Sequence, residues 1–308
     1  MATPSEEAVR IRNSLIEASG NTADFEWTPA QVPQSFLQER KEAPAEFTAI
    51  ARSILDPLPA TASNFEKSLA IARHLMGGPF HGGGIMKRTH DTYLTMMNQG
   101  GGYCADFTQV FNGITLAAHI PVREWGMAFD GFSGDGHAFN EIYDEQYGQW
   151  VLIDSFYSLY FHDPESLRPL SALQVRKRLR KSAEVLEAVP IVAEEFGFKS
   201  SAQAIDYYRD GADQFYLWWG NNVFTYDDHP LVGLAGSLSR AIEEGVAILV
   251  GVHPGIHIVE TESNRERIRE LLKMRDRFLA LSAAGAALLL LLLAQCWFYR
   301  RSAVGVAT

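Results

Sequence analysis

Cys104 stands two residues after the last of three glycines, Gly100 to Gly102, in the stretch NQGGGYCADFTQV at 98–110. Glycines there allow backbone angles and close approaches that side chains forbid. An apolar stripe at helical spacing follows at once through Phe107, Phe111, Ile114 and Ala118. It places Cys104 at or just before a helix N-terminus. Unpaired N–H groups and the helix dipole favour an anion at such a position. The thiolate is the nucleophilic form of cysteine, so the setting suits covalent catalysis. The competing reading is a cysteine buried for packing alone.

Two strands rich in aromatic and β-branched residues follow, HAFNEIY at 137–143 and QWVLID at 149–154. Asp144 to Tyr147 between them form a polar connection of hairpin length, with Gly148 next. If Tyr143 pairs with Gly148, antiparallel register puts Glu141 opposite Trp150, Phe139 opposite Leu152 and His137 opposite Asp154. The period of two sets all of them on one face, whereas a slip of one residue would part imidazole from carboxylate. Cys104, His137 and Asp154 then read as nucleophile, general base and orienting carboxylate.

The segments GGGYCADF, IPVR (Ile120 to Arg123), GHAFNEIY and QWVLID, in this order, resemble the transglutaminase-like superfamily, across roughly residues 60–160. That family has a Gly-rich turn before its Cys, a small-Pro-x-Arg segment, a His-Ala-aromatic strand and a Trp-x-x-Asp strand. The resemblance implies a papain-like cysteine-enzyme fold. Phe139 stands where the family usually has Trp, and Ser155 where Pro is common; both leave the substrate class open. The implied fold class is α+β. A Cys-bearing helix packs on an antiparallel sheet, followed by a helical C-terminal extension and one C-terminal transmembrane helix.

The chain has 308 residues, 47% hydrophobic and 21% charged, enough for a substantial core. A formal charge of -10 argues against a general nucleic-acid binder, because neutralising phosphates needs basic surface. The two cysteines, Cys104 and Cys296, make no disulfide framework. His253 and His257 are four apart, but Pro254 and Gly255 deny them a helix. No metal or cofactor is expected. The N-terminal residues show neither the basic nor the apolar region of a secretory leader.

Phe278 to Tyr299 carries no charge and includes an unbroken leucine run, Leu288 to Leu293, long enough to cross a bilayer. Trp297, Phe298 and Tyr299 suit an interfacial belt. Arg265, Arg267, Arg269, Lys273, Arg275 and Arg277 precede the segment, while only Arg300 and Arg301 follow. The positive-inside rule then leaves the N-terminal part in the cytoplasm, as in a tail-anchored protein. A chain ending near Glu260 is expected to stay in solution without detergent.

Residues 1–60 read as an arm with one short helix over Ala45 to Leu55, and residues 61–165 as the catalytic core. Ser63 and Glu66 form a capping box ahead of the stripe Phe65, Leu69, Ala72 and Leu75, which Gly77 and Gly78 end. Pro79 to Met86, with His81, is expected as a loop beside the site. Residues 166–277 read as mostly helical, and 278–299 as the membrane helix. Leu173 to Leu186 carries Arg176, Lys177, Arg178, Arg180 and Lys181. These suit either a solvated face or contact with anionic lipid headgroups. The aromatics of 201–208 and 214–219 are expected over the core or the cleft.

Together these features lead us to expect a membrane-tethered cysteine enzyme acting on amide or peptide bonds through a thioester. Peptide or protein is the expected substrate. The backbone N–H of Cys104 supplies one oxyanion donor in this reading, and Asn98 or Gln99 a second. Two rivals remain. An arylamine N-acetyltransferase-like enzyme also uses Cys, His and Asp after a Gly-Gly turn, but has Arg where Gln99 stands. A non-catalytic membrane-bound scaffold would need no intact triad.

Overall fold

The computed structural model describes residues 6–79, 83–132, 136–181 and 185–304, so His81 lies outside the described residues. The chain opens with α1 (Glu6–Leu15) and β1 (Glu17–Gly20), then α2 (Ala45–Leu55), α3 (Asn64–Leu75), α4 (Thr89–Gln99) and α5 (Cys104–Ala117). The central strands are β2 (Val122–Ala128), β3 (Gly136–Asp144) and β4 (Gln149–Ile153), with β5 (Leu159–His162) beyond them. Next come α6 (Ala172–Leu179), β6 (Glu187–Pro190), α7 (Ser201–Gly211) and β7 (Phe215–Trp219). The last elements are α8 (Val223–Asp227), α9 (Pro230–Gly236), α10 (Arg240–Leu249), β8 (Gly255–Val259) and α11 (Arg265–Val304).

Six strands form one sheet in the order β1-β8-β7-β2-β3-β4, antiparallel except for the β1–β8 pair. Both faces of its centre are covered. On one, Val122, Ile142, Val151 and Ile153 pack with Phe47 of α2, Ile71 and Leu75 of α3, Met96 of α4, and Phe111 and Ile114 of α5. On the other, Trp125, Phe139, Leu152 and Leu217 meet Phe25, Trp27, Phe161 and Tyr208. Strands buried on two faces lose polar alternation and read as nearly continuous apolar runs. For that reason FYLWW at 215–219, expected only as covering aromatics, is β7 and pairs with β2 as Trp125↔Leu217.

The residues before α2 are more than an arm. β1 joins the sheet edge beside β8, and Phe25, Trp27 and Phe36 are buried in the core. The clamp that holds them is Arg123, buried at 1% exposure. Its Nε donates to Glu141 Oε2 at 2.7 Å and one terminal nitrogen to the Phe25 carbonyl at 2.8 Å. The guanidinium lies over the Trp150 ring at 4.1 Å and the Trp27 ring at 4.9 Å. Each such contact adds about 1–2 kcal/mol when desolvated. The Arg of the IPVR segment thus fastens the N-terminal residues to the hairpin.

Ser63 caps α3 as the sequence predicts, accepting from the Glu66 N–H at 3.2 Å while Glu66 accepts from Ser63 N–H at 2.8 Å. Such caps contribute about 1 kcal/mol. At the other end, α11 has two parts. Ile268 and Leu271 are buried in a third cluster with Phe132, Ile256 and Ile258. From Phe278 to Trp297 the helix is bare: Leu281 is 74% and Leu290 67% exposed, and its most apolar stretch is long enough to cross a membrane. That exposure is the reverse of a soluble core helix. The expected cut near Glu260 would remove core residues, so the separable part of the chain starts after Arg277.

Candidate active site

Cys104 is the first residue of α5, half-buried and not in a disulfide. Gly100, Gly101 and Gly102 have φ of 78°, 90° and 110°, a left-handed run closed to other residues without strain. The Gly102 N–H donates to the Gly83 carbonyl at 2.8 Å. Asp106, one turn into α5 and 2% exposed, accepts from the N–H groups of Tyr103 at 2.8 Å, Ile85 at 3.0 Å and Met86 at 2.8 Å. This carboxylate seats the 83–86 segment on the helix start, a role that sequence reasoning missed. An acid at the third position of a helix is the signal that was available. Among the described residues, the N–H groups of Cys104 and Ala105 have no backbone acceptor.

β3 and β4 form the expected hairpin with a different register. The loop is 145–148, closed by Gly148 at φ 63°, and Asp144 pairs with Gln149, Tyr143 with Trp150 and Asn140 with Ile153. The expected pairs Tyr143–Gly148 and Glu141–Trp150 are therefore each displaced by two residues. Moving a loop of fixed length by one residue moves the register by two, and an even slip preserves the faces. Hence His137 and Asp154 still share a face, as diagonal neighbours instead of a direct pair.

The two side chains meet. His137 Nε2 lies 2.7 Å from Asp154 Oδ2, and both residues are buried. That contact leaves Nδ1 as the ring nitrogen that could serve the thiol, and the Cys104 side chain adds to the influences that favour the charged ring. Asp154 is held on every side. Its Oδ1 accepts from the N–H groups of Phe156 at 3.0 Å and Tyr157 at 2.9 Å, and its Oδ2 also accepts from the Tyr208 hydroxyl. Backbone bonds between Asp154 and Leu159, at 2.8 and 3.0 Å, close the turn beneath it.

Burial by itself would lower the pKa of His137. The Asp154 carboxylate, its hydrogen bond and Cys104 together outweigh that and raise it to about 10. The ring therefore favours the imidazolium at neutral pH. Around it stand Phe139, Phe156, Tyr157, Tyr207 and Tyr208, with ring centres 4.6–6.1 Å away. Burial, and then the Asp154 charge, push the Tyr208 hydroxyl well above the ordinary phenol range, so it remains a donor. Tyr208 comes from α7, far along the chain. Its helix was expected only to cover core or cleft, and nothing in its spacing marks a partner for Asp154.

Asn98 and Gln99 end α4 and are both exposed. Asn98 Nδ2 donates to the Leu94 carbonyl at 2.8 Å, inside its own helix. His253 and His257 bracket the start of β8, and no cluster of His, Cys, Asp or Glu fit to hold a metal occurs among the described residues.

Residues 59–155 match the family model described as the transglutaminase-like superfamily. A solved structure named "Putative Cysteine Protease from Cytophaga hutchinsonii" is similar at 23% identity and a TM-score of 0.28. That match covers 36% of this chain and 36% of the other, so it spans about a third of either length. No curated protein matches the chain. With its mixed α+β architecture and six-stranded sheet, the chain carries a transglutaminase-like domain at residues 59–155, the segment that contains Cys104, His137 and Asp154.

Proposed function

We propose that the chain is a membrane-tethered cysteine enzyme acting on carboxamide or peptide bonds through a thioester on Cys104. The observation that carries this reading is the buried His137, bonded at 2.7 Å to Asp154 and raised in pKa by Asp154 and then by Cys104. The thiolate attacks the carbonyl carbon, and the oxyanion forms against the Cys104 N–H at the start of α5. Gln99 is the second donor in this scheme, since the Asn98 amide is spent within α4. The C–N bond then breaks, and the departing amine takes its proton from the His137 imidazolium. In the second half, water or an amine attacks the thioester, His137 accepts its proton, and the C–S bond breaks to restore the thiolate. Asp154, with Tyr208 behind it, holds the ring orientation throughout.

Incubation with a peptide library and an amine donor, read by mass spectrometry, tests the proposal. Hydrolysed peptides assign a protease or amidase, and amine-bearing products a transferase. If neither forms, and a thiol-selective probe labels Cys104 no faster in the native than in the denatured chain, the scaffold reading wins.

In the same proposal the apolar part of α11 inserts in a membrane, with Cys104 on the cytoplasmic side. A chain cut after Arg277 is expected to stay in solution without detergent, while the full chain remains with membranes through a carbonate wash. Extraction of the full chain by carbonate overturns insertion. Protease added outside sealed cells is expected to leave the Cys104 domain intact; its digestion overturns the orientation.

A further inference from the structure

Lys177, Arg180 and Lys181 are exposed, as a solvated face or a lipid contact would require, but Arg176 is not. Arg176 is 4% exposed, and its Nε and one terminal nitrogen are buried without a hydrogen-bond partner among the described residues. Burying charged donors unpaired costs several kcal/mol, and replacement by an apolar residue would relieve it. Arg176 lines a cleft of about 810 Å³, between α6 and the Trp27 and Trp150 wall, together with Lys177, Arg180 and Lys181. Among the described residues, Glu26 is the one acidic side chain of that lining. Asp213, the acid acting on Arg176, pairs at 2.7 Å with Arg180, whose neighbouring charge opposes it. Burial and then Arg180 lower the Arg176 pKa to about 10, which leaves it charged at neutral pH. Glu141 is already taken up by Arg123, Trp125 and the Ala172 N–H. With Arg123 and Arg180 paired to carboxylates, Arg176 and Lys177 still outnumber Glu26 among the described lining residues, and a planar guanidinium stands at the inner wall.

We propose that this cleft binds a phosphoryl group, with the Arg176 guanidinium as inner anchor and Lys177 and Arg180 beside it. A guanidinium fork matches two phosphate oxygens at once, and the surrounding cations suit a dianion better than a carboxylate. Neither Cys104, His137 nor Asp154 lines the cleft, so the site does not depend on the chemistry at Cys104.

Two sources could present the group: a soluble phosphate compound or a lipid headgroup. Arg180 donates to Ser263 Oγ at 3.3 Å, just ahead of α11. From Arg265 to Phe278 that helix rises roughly 20 Å, at about 1.5 Å per residue. Headgroups extend only about 5–8 Å beyond the hydrocarbon on each side. An upright α11 thus holds the cleft above the headgroup layer, and the soluble source is favoured.

Binding of inorganic phosphate is measured by calorimetry on the full chain in neutral-detergent micelles, at constant ionic strength set by chloride. Saturable binding is expected. Arg176→Leu should weaken it at least roughly tenfold without lowering the thermal midpoint measured without phosphate. Arg176→Lys, which keeps the charge but not the fork, should also lose affinity, and Cys104→Ser should not. A second arm uses the full chain in phosphatidylcholine nanodiscs with and without phosphatidic acid. Phosphate affinity unchanged by phosphatidic acid supports the soluble source. Loss of phosphate binding there, restored by omitting the lipid, supports the same site with the headgroup as ligand. Absence of phosphate binding in both settings, or binding indifferent to both Arg176 substitutions, overturns the proposal.

Discussion

Cys104→Ser is expected to reduce turnover of any carboxamide substrate by at least roughly a thousandfold while leaving the fold in place. A serine hydroxyl has nearly the same shape, but it is far less acidic than a thiol and attacks poorly in a site built to hold an anion beside an imidazolium. The structural cost is small because Cys104 is half-buried and sits at a helix start whose geometry depends on Gly100 to Gly102 and Asp106, not on its sulfur. A change in unfolding free energy of about 1 kcal/mol or less is anticipated. Single-turnover rates and thermal unfolding of the two chains, measured side by side, decide the matter. A variant that unfolds would make Cys104 a packing residue, and one that keeps its rate would remove it from the mechanism.

Those parts of the site that lie on single elements were legible in the sequence. The apolar stripe behind the glycines predicted where α5 starts, and the Ser63–Glu66 box predicted where α3 starts. Period-two alternation put His137 and Asp154 on one face, and survived a register error because the error was even. What could not be read depends on distant segments meeting. Tyr208 and Asp154 bond across a separation that no local pattern encodes. β7 has apolar residues on both faces, so its strand character is masked until β2 and β8 flank it. Arg176 looked like its charged neighbours on α6, and only the packing of that helix against the core separates it from them. Similarly, the charged stretch ahead of the apolar part of α11 hides Ile268 and Leu271, which belong to the core.

Asp154→Asn is expected to cut activity by up to roughly four orders of magnitude, the scale seen when a triad carboxylate becomes an amide. The half of the side chain that accepts from Phe156 and Tyr157 can remain an oxygen. The other half becomes an NH2 group facing the imidazole and the Tyr208 hydroxyl, both of which donate to a carboxylate. The ring then accepts through Nε2 and carries its proton on Nδ1, toward the sulfur, which is the wrong tautomer for taking a proton there. The pH dependence should change with it. His137 is raised from 6.5 to about 10 because Asp154 and Cys104 outweigh burial; without the carboxylate, burial prevails and the value falls. Leaving-group protonation needs the imidazolium, so rate is lost as pH rises through the His137 value. That alkaline limb should move down by more than about one unit in the variant. The same shift enters stability. A raised folded-state value stabilises fully below pH 6.5, and that contribution is lost as pH rises toward about 10. Asp154→Asn should flatten this decline, besides an overall cost of about 1–3 kcal/mol for the donor left unpaired at Tyr208. Pre-steady-state rates and denaturant midpoints across pH 5–10 give both readings. An unchanged alkaline limb would show that Asp154 does not set the charge of His137, and the triad would reduce to a Cys–His pair.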